Sequence, residues 1–162
     1  MELAAQLQGV IDSSALITFI VSMVPVIELR GAIPIGVGLG MSPLAALGVS
    51  IVGNLVPVPF IILFIRKIFR WMRRHMPRLE KLVSRMEEKA EKHKDLVTKW
   101  EFLGLLILVA IPLPGTGAWT GALVAALMDL RLKKSFPAIF TGVVIAGLIV
   151  TGITYGFVNL FS

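Results

Sequence analysis

"VIELRGAIPIGVGLG", Val26 to Gly40, places a carboxylate and a guanidinium two residues apart in a run that is otherwise apolar and glycine-rich. It follows "ALITFIVSMVP", Ala15 to Pro25, so the apolar stretch 14–41 is interrupted in its middle. The arms on either side have about 10–13 residues, or roughly 15–20 Å as helix. That is near half of a ~30 Å hydrocarbon core. Such a stretch is either one kinked span or a re-entrant hairpin that dips in and returns to the same side. A second stretch, 102–128, is broken in the same way between "FLGLLILVAIPLPGTG" and "AWTGALVAALM".

The remaining apolar segments are unbroken. Residues 43–66 reach about 36 Å as a helix, enough to cross with some tilt, and Ser42-Pro43 supplies an N-cap followed by proline at the first helical position. Residues 136–160 form a comparable span. With 56% hydrophobic residues and a mean hydropathy of +0.87, the chain carries more apolar surface than a soluble domain of 162 residues could hide. It reads as an integral membrane protein. The opening residues include Glu2 and Asp12 and no basic n-region, so they do not read as a signal peptide; segment 1–13 is expected to lie at the interface. Cysteine is absent, which removes disulfides, thiolate metal sites and cysteine catalysis.

Charge decides the topology. Residues 66–101 hold twelve Lys/Arg against six Asp/Glu, the whole net charge of +6, and the rest of the chain sums to zero. The positive-inside rule puts this central segment in the cytoplasm. A straight crossing by 102–128 would leave Arg131, Lys133 and Lys134 outside, whereas a hairpin returns them to the cytoplasm. The expected architecture is therefore an all-α integral membrane protein, and the family resemblance drawn below implies the plasma membrane of a prokaryote as its location. Hairpin 14–41 and span 43–66 form one unit; hairpin 102–128, a basic cytoplasmic turn 129–135 and span 136–160 form the other. A basic amphipathic cytoplasmic helix over 67–101 joins them. Spacing suggests that the halves are copies: Pro25 to Met41 and Pro112 to Met128 are both 16 apart, and Pro43-x4-Gly48-x4-Gly53 matches Pro137-x4-Gly142-x4-Gly147. One crossing separates the hairpins, so the repeats would be inverted, as in many secondary transporters.

Non-helical backbone at bilayer depth must face protein or water, because its N–H and C=O groups would otherwise go unsatisfied. Each returning helix also points its partial positive charge inward. Glu28, Arg30 and Gly31 at the first tip and Pro114, Gly115, Thr116 and Gly117 at the second are thus the candidate substrate site. Arg30 and the tip amides would hold an anionic head, and Glu28 would carry protons; alternatively, Glu28 and Arg30 neutralise one another. Asn54 is expected to hydrogen-bond across helices. Gly36, Gly38, Gly40, Gly48 and Gly53 read as close-packing positions, and Pro57-Val58-Pro59 as a kink.

In the central segment Met72, Met76, Leu79, Val83, Met86, Ala90, His93 and Val97 follow a heptad spacing, with Pro77 interrupting its start. This seam either packs as a hairpin partner, forms a dimer seam, or lies on anionic lipid. His75 and His93 lack acidic partners at ligand spacing, so no metal and no cofactor is expected, and nucleic acid is not an expected partner. No nucleophile–base set is visible; an enzyme is not expected.

"ELRGAIPIG" (Glu28–Gly36) and "PLPGTGAWTGALVA" (Pro112–Ala125), separated by a basic amphipathic link, resemble the small multidrug export protein family of bacterial and archaeal membrane proteins. The layout is also similar, more distantly, to the DedA superfamily, whose two re-entrant hairpins and following spans are associated with moving polyprenyl-phosphate or phospholipid headgroups. By that resemblance Glu28 and Arg30 take the roles of headgroup residues. The expectation is a transporter or flippase for an amphiphile with an anionic, phosphate-type head, with membrane lipid around it and at least a homodimer as its assembly. The alternatives are proton-coupled efflux of cationic amphiphilic drugs, with Glu28 as the cation site, and a non-transporting membrane organiser that acts through its basic helix.

Overall fold

The structure, a computed structural model, describes residues 2–161 and the side chains of 13–160. Every regular element among the described residues is helical: α1 (Glu2–Met23), α2 (Glu28–Gly38), α3 (Pro43–Leu55), α4 (Pro57–His75), α5 (Glu80–Glu91), α6 (Lys94–Lys99), α7 (Glu101–Ala110), α8 (Ala118–Leu127) and α9 (Leu132–Phe161), with a 3-10 turn at Pro77–Leu79. The side chains of the expected interfacial segment, up to Asp12, lie outside the described residues.

Both broken stretches fold back on themselves. In the first, Ser14 Oγ donates to Leu39 O at 3.3 Å and Thr18 Oγ1 lies 3.3 Å from Met41 Sδ, so the end of α2 returns beside the body of α1. Gly36 permits this approach, since a Cβ there would lie 2.8 Å from Thr18 Oγ1. In the second, Glu101 at the start of α7 pairs with Lys134 at 3.6 Å, and Asp129, just after α8, pairs with Arg66 at 2.7 Å. The start of the second hairpin, its end and the basic end of the preceding span therefore meet at one place.

The returning helices end alike. Gly40 (φ +92°) follows α2 and Asp129 (φ +61°) follows α8, each in the left-handed region. The N–H groups of Met41 and Leu130 reach back to Gly36 O and Ala125 O, and those of Gly40 and Asp129 to Val37 O and Ala126 O. Both are Schellman caps, which satisfy the last free carbonyls of a helix. Their register differs from the expected one: Gly40 corresponds to Asp129, a separation of 89 residues, whereas Pro25 and Pro112 are 87 apart.

Among the described residues two helical segments are long and apolar enough to cross a membrane, Pro43–His75 and Leu132–Leu160. Ser42 caps the first as expected, its Oγ accepting from Ala45 N at 3.3 Å with Pro43 next. The helix is divided at Val56, where Pro57 and Pro59 remove the N–H groups that would bond Gly53 O and Leu55 O. It then runs on past Arg66 to His75, beyond the expected boundary. The last helix likewise begins at Leu132, inside the expected turn 129–135, and places Lys133 and Lys134 in its first turn. Cations are disfavoured at that dipole end; the Lys134–Glu101 pair offsets part of the cost.

Segment 67–101 is three pieces instead of one amphipathic helix. Pro77 has no N–H for the ladder, and the chain bends at Met76–Leu79 and again at Lys92–His93. Its apolar seam nevertheless packs within this chain: Val83, Ala90 and Val97 are buried in one core with α8 and α7 residues. A Cβ on Gly104 of α7 would lie 2.6 Å from Leu96 O, so α6 sits on that helix by direct backbone approach. Of the glycines expected to permit packing, Gly36 and Gly53 do so, while Gly38 and Gly48 face open space. Asn54 is 1% exposed but its Oδ1 finds no partner among the described residues, contrary to the expected cross-helix bond.

Candidate functional site

The two hairpin tips meet. At the first, the chain turns through Val24–Ile27 and enters α2 at Glu28, with Val26 at φ +78° and Glu28 at φ +50°. Left-handed dihedrals cost non-glycine residues roughly 1–3 kcal/mol each, and a β-branched valine is especially ill-suited. The consequence is that Glu28, 3% exposed, points across to the other hairpin.

There its Oε1 accepts from Trp119 N at 2.9 Å, and the Ala118 amide also faces the carboxylate. These are the first two residues of α8, so Glu28 caps that helix from a hairpin ninety residues away, where anionic charge is favoured. Gly117 makes room: a Cβ there would lie 2.8 Å from Glu28 Cδ, and its φ of +120° suits glycine alone.

Arg30, two residues further along α2 and half-buried, addresses the opposite polarity. Its Nη1 donates to Leu113 O (2.7 Å) and Thr116 O (3.0 Å); its Nη2 donates to Ile111 O (3.1 Å) and Thr116 Oγ1 (2.9 Å). A guanidinium's flat fork matches such a fan of carbonyls. Both terminal nitrogens thereby use both of their hydrogens on protein acceptors. Trp119 returns the contact, donating its indole N–H to Met23 O at 3.0 Å, at the C-terminus of α1. Each tip thus satisfies free backbone groups of the other.

Glu28, Arg30, Pro114, Gly115 and Thr116 line one cavity of about 670 Å³, and Gly117 sits behind it against Glu28. Gly31 does not line it; its amide bonds Ile27 O and its Cα lies under Ile27. The amides proposed from sequence to hold an anion are engaged already, Thr116 N on Leu113 O and Gly117 N on Leu108 O. No ion pair joins Glu28 to Arg30 directly. Sequence reasoning missed the rest of the wall. Trp119 and Leu123 come from α8, and Leu82, Met86 and Lys89 come from α5. The heptad spacing of Met86 and Ala90 was the one signal that α5 would pack onto something. A second, apolar groove of about 750 Å³ runs between α2 and α9, and Arg30 and Pro112 line both spaces. No cluster of potential metal ligands occurs among the described residues.

A family model described as "putative small multi-drug export protein" matches residues 28–149, from Glu28 at the first tip through the second hairpin into the last helix. The chain belongs to this family. No curated protein and no solved structure matches it, and the likeness to the DedA superfamily suggested by the layout is not shown by the family match. Membership in the small multi-drug export family, together with two helices of spanning length, fits a membrane location and a transport role.

Proposed function

We propose that this member of the small multi-drug export family is a transporter or flippase that moves an amphiphile with an anionic head through the junction of its two hairpin tips. The single observation that carries the reading is that Arg30 and Pro112 form the partition between two largely apolar spaces, about 670 and 750 Å³ in volume. Breaking the Arg30 and Glu28 contacts would join them. The partition consists of charge–backbone hydrogen bonds, which can be exchanged for bonds to a polar head while the tail stays in apolar surroundings. Glu28 is the coupling group in this reading. A neutral carboxylic acid caps a helix N-terminus less well than a carboxylate, so protonation would loosen the latch and deprotonation would close it.

The pairing of Arg66 with Asp129 and of Glu101 with Lys134 supports hairpin 102–128 as re-entrant from the basic side, with 66–101 cytoplasmic and the plasma membrane of a prokaryote as the location. The hairpins then enter from opposite faces as inverted units. One protomer of this length encloses little by itself, and the reading includes a homodimer or larger assembly. No chemistry on the substrate's bonds is part of it. Reconstitution into proteoliposomes with a fluorescent polyprenyl phosphate tests the proposal: the protein should move the probe between leaflets, and Arg30→Ala should not. A wild-type rate equal to that of empty liposomes would remove it.

The family description favours one rival, proton-coupled efflux of cationic drugs. It requires the drug to displace the α8 N-terminus from a buried Glu28 and to pass two cations on the same wall, Arg30 and Lys89. In that case Glu28→Gln abolishes drug resistance in cells while Arg30→Lys spares it.

A further inference from the structure

Three charged side chains line the junction cavity, and two of them are committed to protein. Glu28 holds the α8 amides, and both terminal nitrogens of Arg30 donate to tip carbonyls. The third is Lys89 of α5. The helix positions within reach of it, three and four residues away, are Arg85, Met86, Lys92 and His93, none of them acidic. The neighbouring acids are engaged elsewhere: Glu87 with Arg73, Glu88 with Lys92, Glu91 with Lys94. Lys89 forms no ion pair among the described residues; the acid whose charge reaches it is Glu28, on the same cavity wall and already held by the α8 amides. Its Cε lies 3.6 Å from the place a Cβ on Gly115 would occupy, so its stem runs along the second tip and its ammonium stands at the cavity wall.

We infer that Lys89 reads the charge of the transported molecule, binding an anionic head while Leu82, Met86, Leu123 and Trp119 receive the tail. This rests on the cavity being the substrate site, as proposed above. An ammonium beside a low-polarity wall is a point charge with three rotatable donors, suited to a phosphate, sulfate or carboxylate oxygen without fixed geometry. With Glu28 and Arg30 offsetting each other, Lys89 leaves the wall with one unbalanced positive charge, which attracts anions and repels cations. Arg30, the residue the sequence pointed to, is then the structural partner of the second tip, and selectivity resides on the basic link.

Trp119 lines the cavity and reports occupancy once Trp71 and Trp100 are replaced by Phe. In nanodiscs of zwitterionic lipid, dodecyl phosphate should shift Trp119 emission at concentrations about tenfold below those needed for dodecyltrimethylammonium. Inorganic phosphate alone should give no shift, which separates a free anion from an amphiphile. Lys89→Gln should weaken dodecyl phosphate about tenfold, Lys89→Arg should retain it, and Lys89→Glu should reverse the preference. Lys89 is exposed, so these variants are expected to fold. Equal binding of dodecyl phosphate by wild type and Lys89→Gln, or a preference of the wild type for the cation, overturns the role of Lys89 and leaves the cavity as the site. If no amphiphile of either charge alters Trp119 emission, the site reading fails with it. A response to inorganic phosphate as strong as to dodecyl phosphate also overturns the inference, because the tail would then have no part.

Discussion

The tip of the first hairpin turns through Val26 and Glu28 in the left-handed region, whereas the tip of the second turns through Gly115 and Gly117. The same backbone problem is met with side chains on one side and without them on the other. Glycine at the second tip leaves its carbonyls and the first amides of α8 open to approach. Non-glycine residues at the first tip deliver a carboxylate to the amides and a guanidinium to the carbonyls. The halves are therefore similar in outline and unlike in chemistry. One supplies charge, the other supplies backbone, and the junction needs both.

Removing the charge side should have the largest effect. Arg30→Ala deletes four hydrogen bonds between the tips and removes the stronger of the two cations, Arg30 and Lys89, that act on Glu28. Hydrogen bonds to a charged group contribute about 1.5–3 kcal/mol, and with Arg30 half-buried the loss should be of that order. Thermal unfolding in detergent should show a large drop, with Arg30→Lys recovering part of it because an ammonium cannot span three carbonyls. An unchanged melting temperature in Arg30→Ala would mean that the tips are not held together by this residue.

Altering the backbone side should rank next, and it contains its own control. Gly115→Ala places a Cβ on a residue of φ +85°, at roughly 1–2 kcal/mol, and Gly117→Ala places one on a residue whose φ of +120° and ψ of −174° are essentially glycine's alone, at a higher backbone cost. At Gly115 the new atom meets only Lys89 Cε at ordinary contact distance, while at Gly117 it meets the Glu28 carboxylate. Gly117→Ala should therefore be the more destabilising by the same assay, and the gap should narrow in a Glu28→Ala background. A gap unchanged in that background would show that the carboxylate lies elsewhere.

The smallest change should have the opposite sign. Val26 is 86% exposed, so Val26→Gly loses little packing and relieves its φ of +78°. Strain relief less the added freedom of glycine in the unfolded chain leaves a net stabilisation of about 1 kcal/mol. A loss of stability would mean that the valine side chain makes a contact that its exposure conceals.

Much of this layout was legible in the sequence because local rules dictate it. A half-length apolar arm, a proline pair, a Ser-Pro start and a heptad seam each act over a few residues. The broken stretches, the division at Val56, the cap at Ser42 and the burial of Val83, Ala90 and Val97 follow from them. Glu28 and Arg30 stand out in the sequence too, since charge is conspicuous in an apolar run. Their partners were not. Trp119 N lies 91 residues from Glu28, and the acceptors of Arg30 are backbone carbonyls, which every residue carries and no motif marks. The register of the two hairpins was misjudged by two residues, because proline and methionine spacing does not locate a cap that depends on backbone dihedrals.

The sequence by itself determined a helical membrane chain of the small multi-drug export type, with two interrupted segments and a charged pair in one of them. Those properties depend on composition, periodicity and local propensity. Only the tertiary structure decided that each tip completes the hydrogen bonding of the other, that α5 folds over their junction, and that Lys89 is the charge left unmatched there. The reason is physical: backbone donors and acceptors are the same in every residue, so which of them remain unpaired, and what reaches them, is known only when the chain has closed on itself.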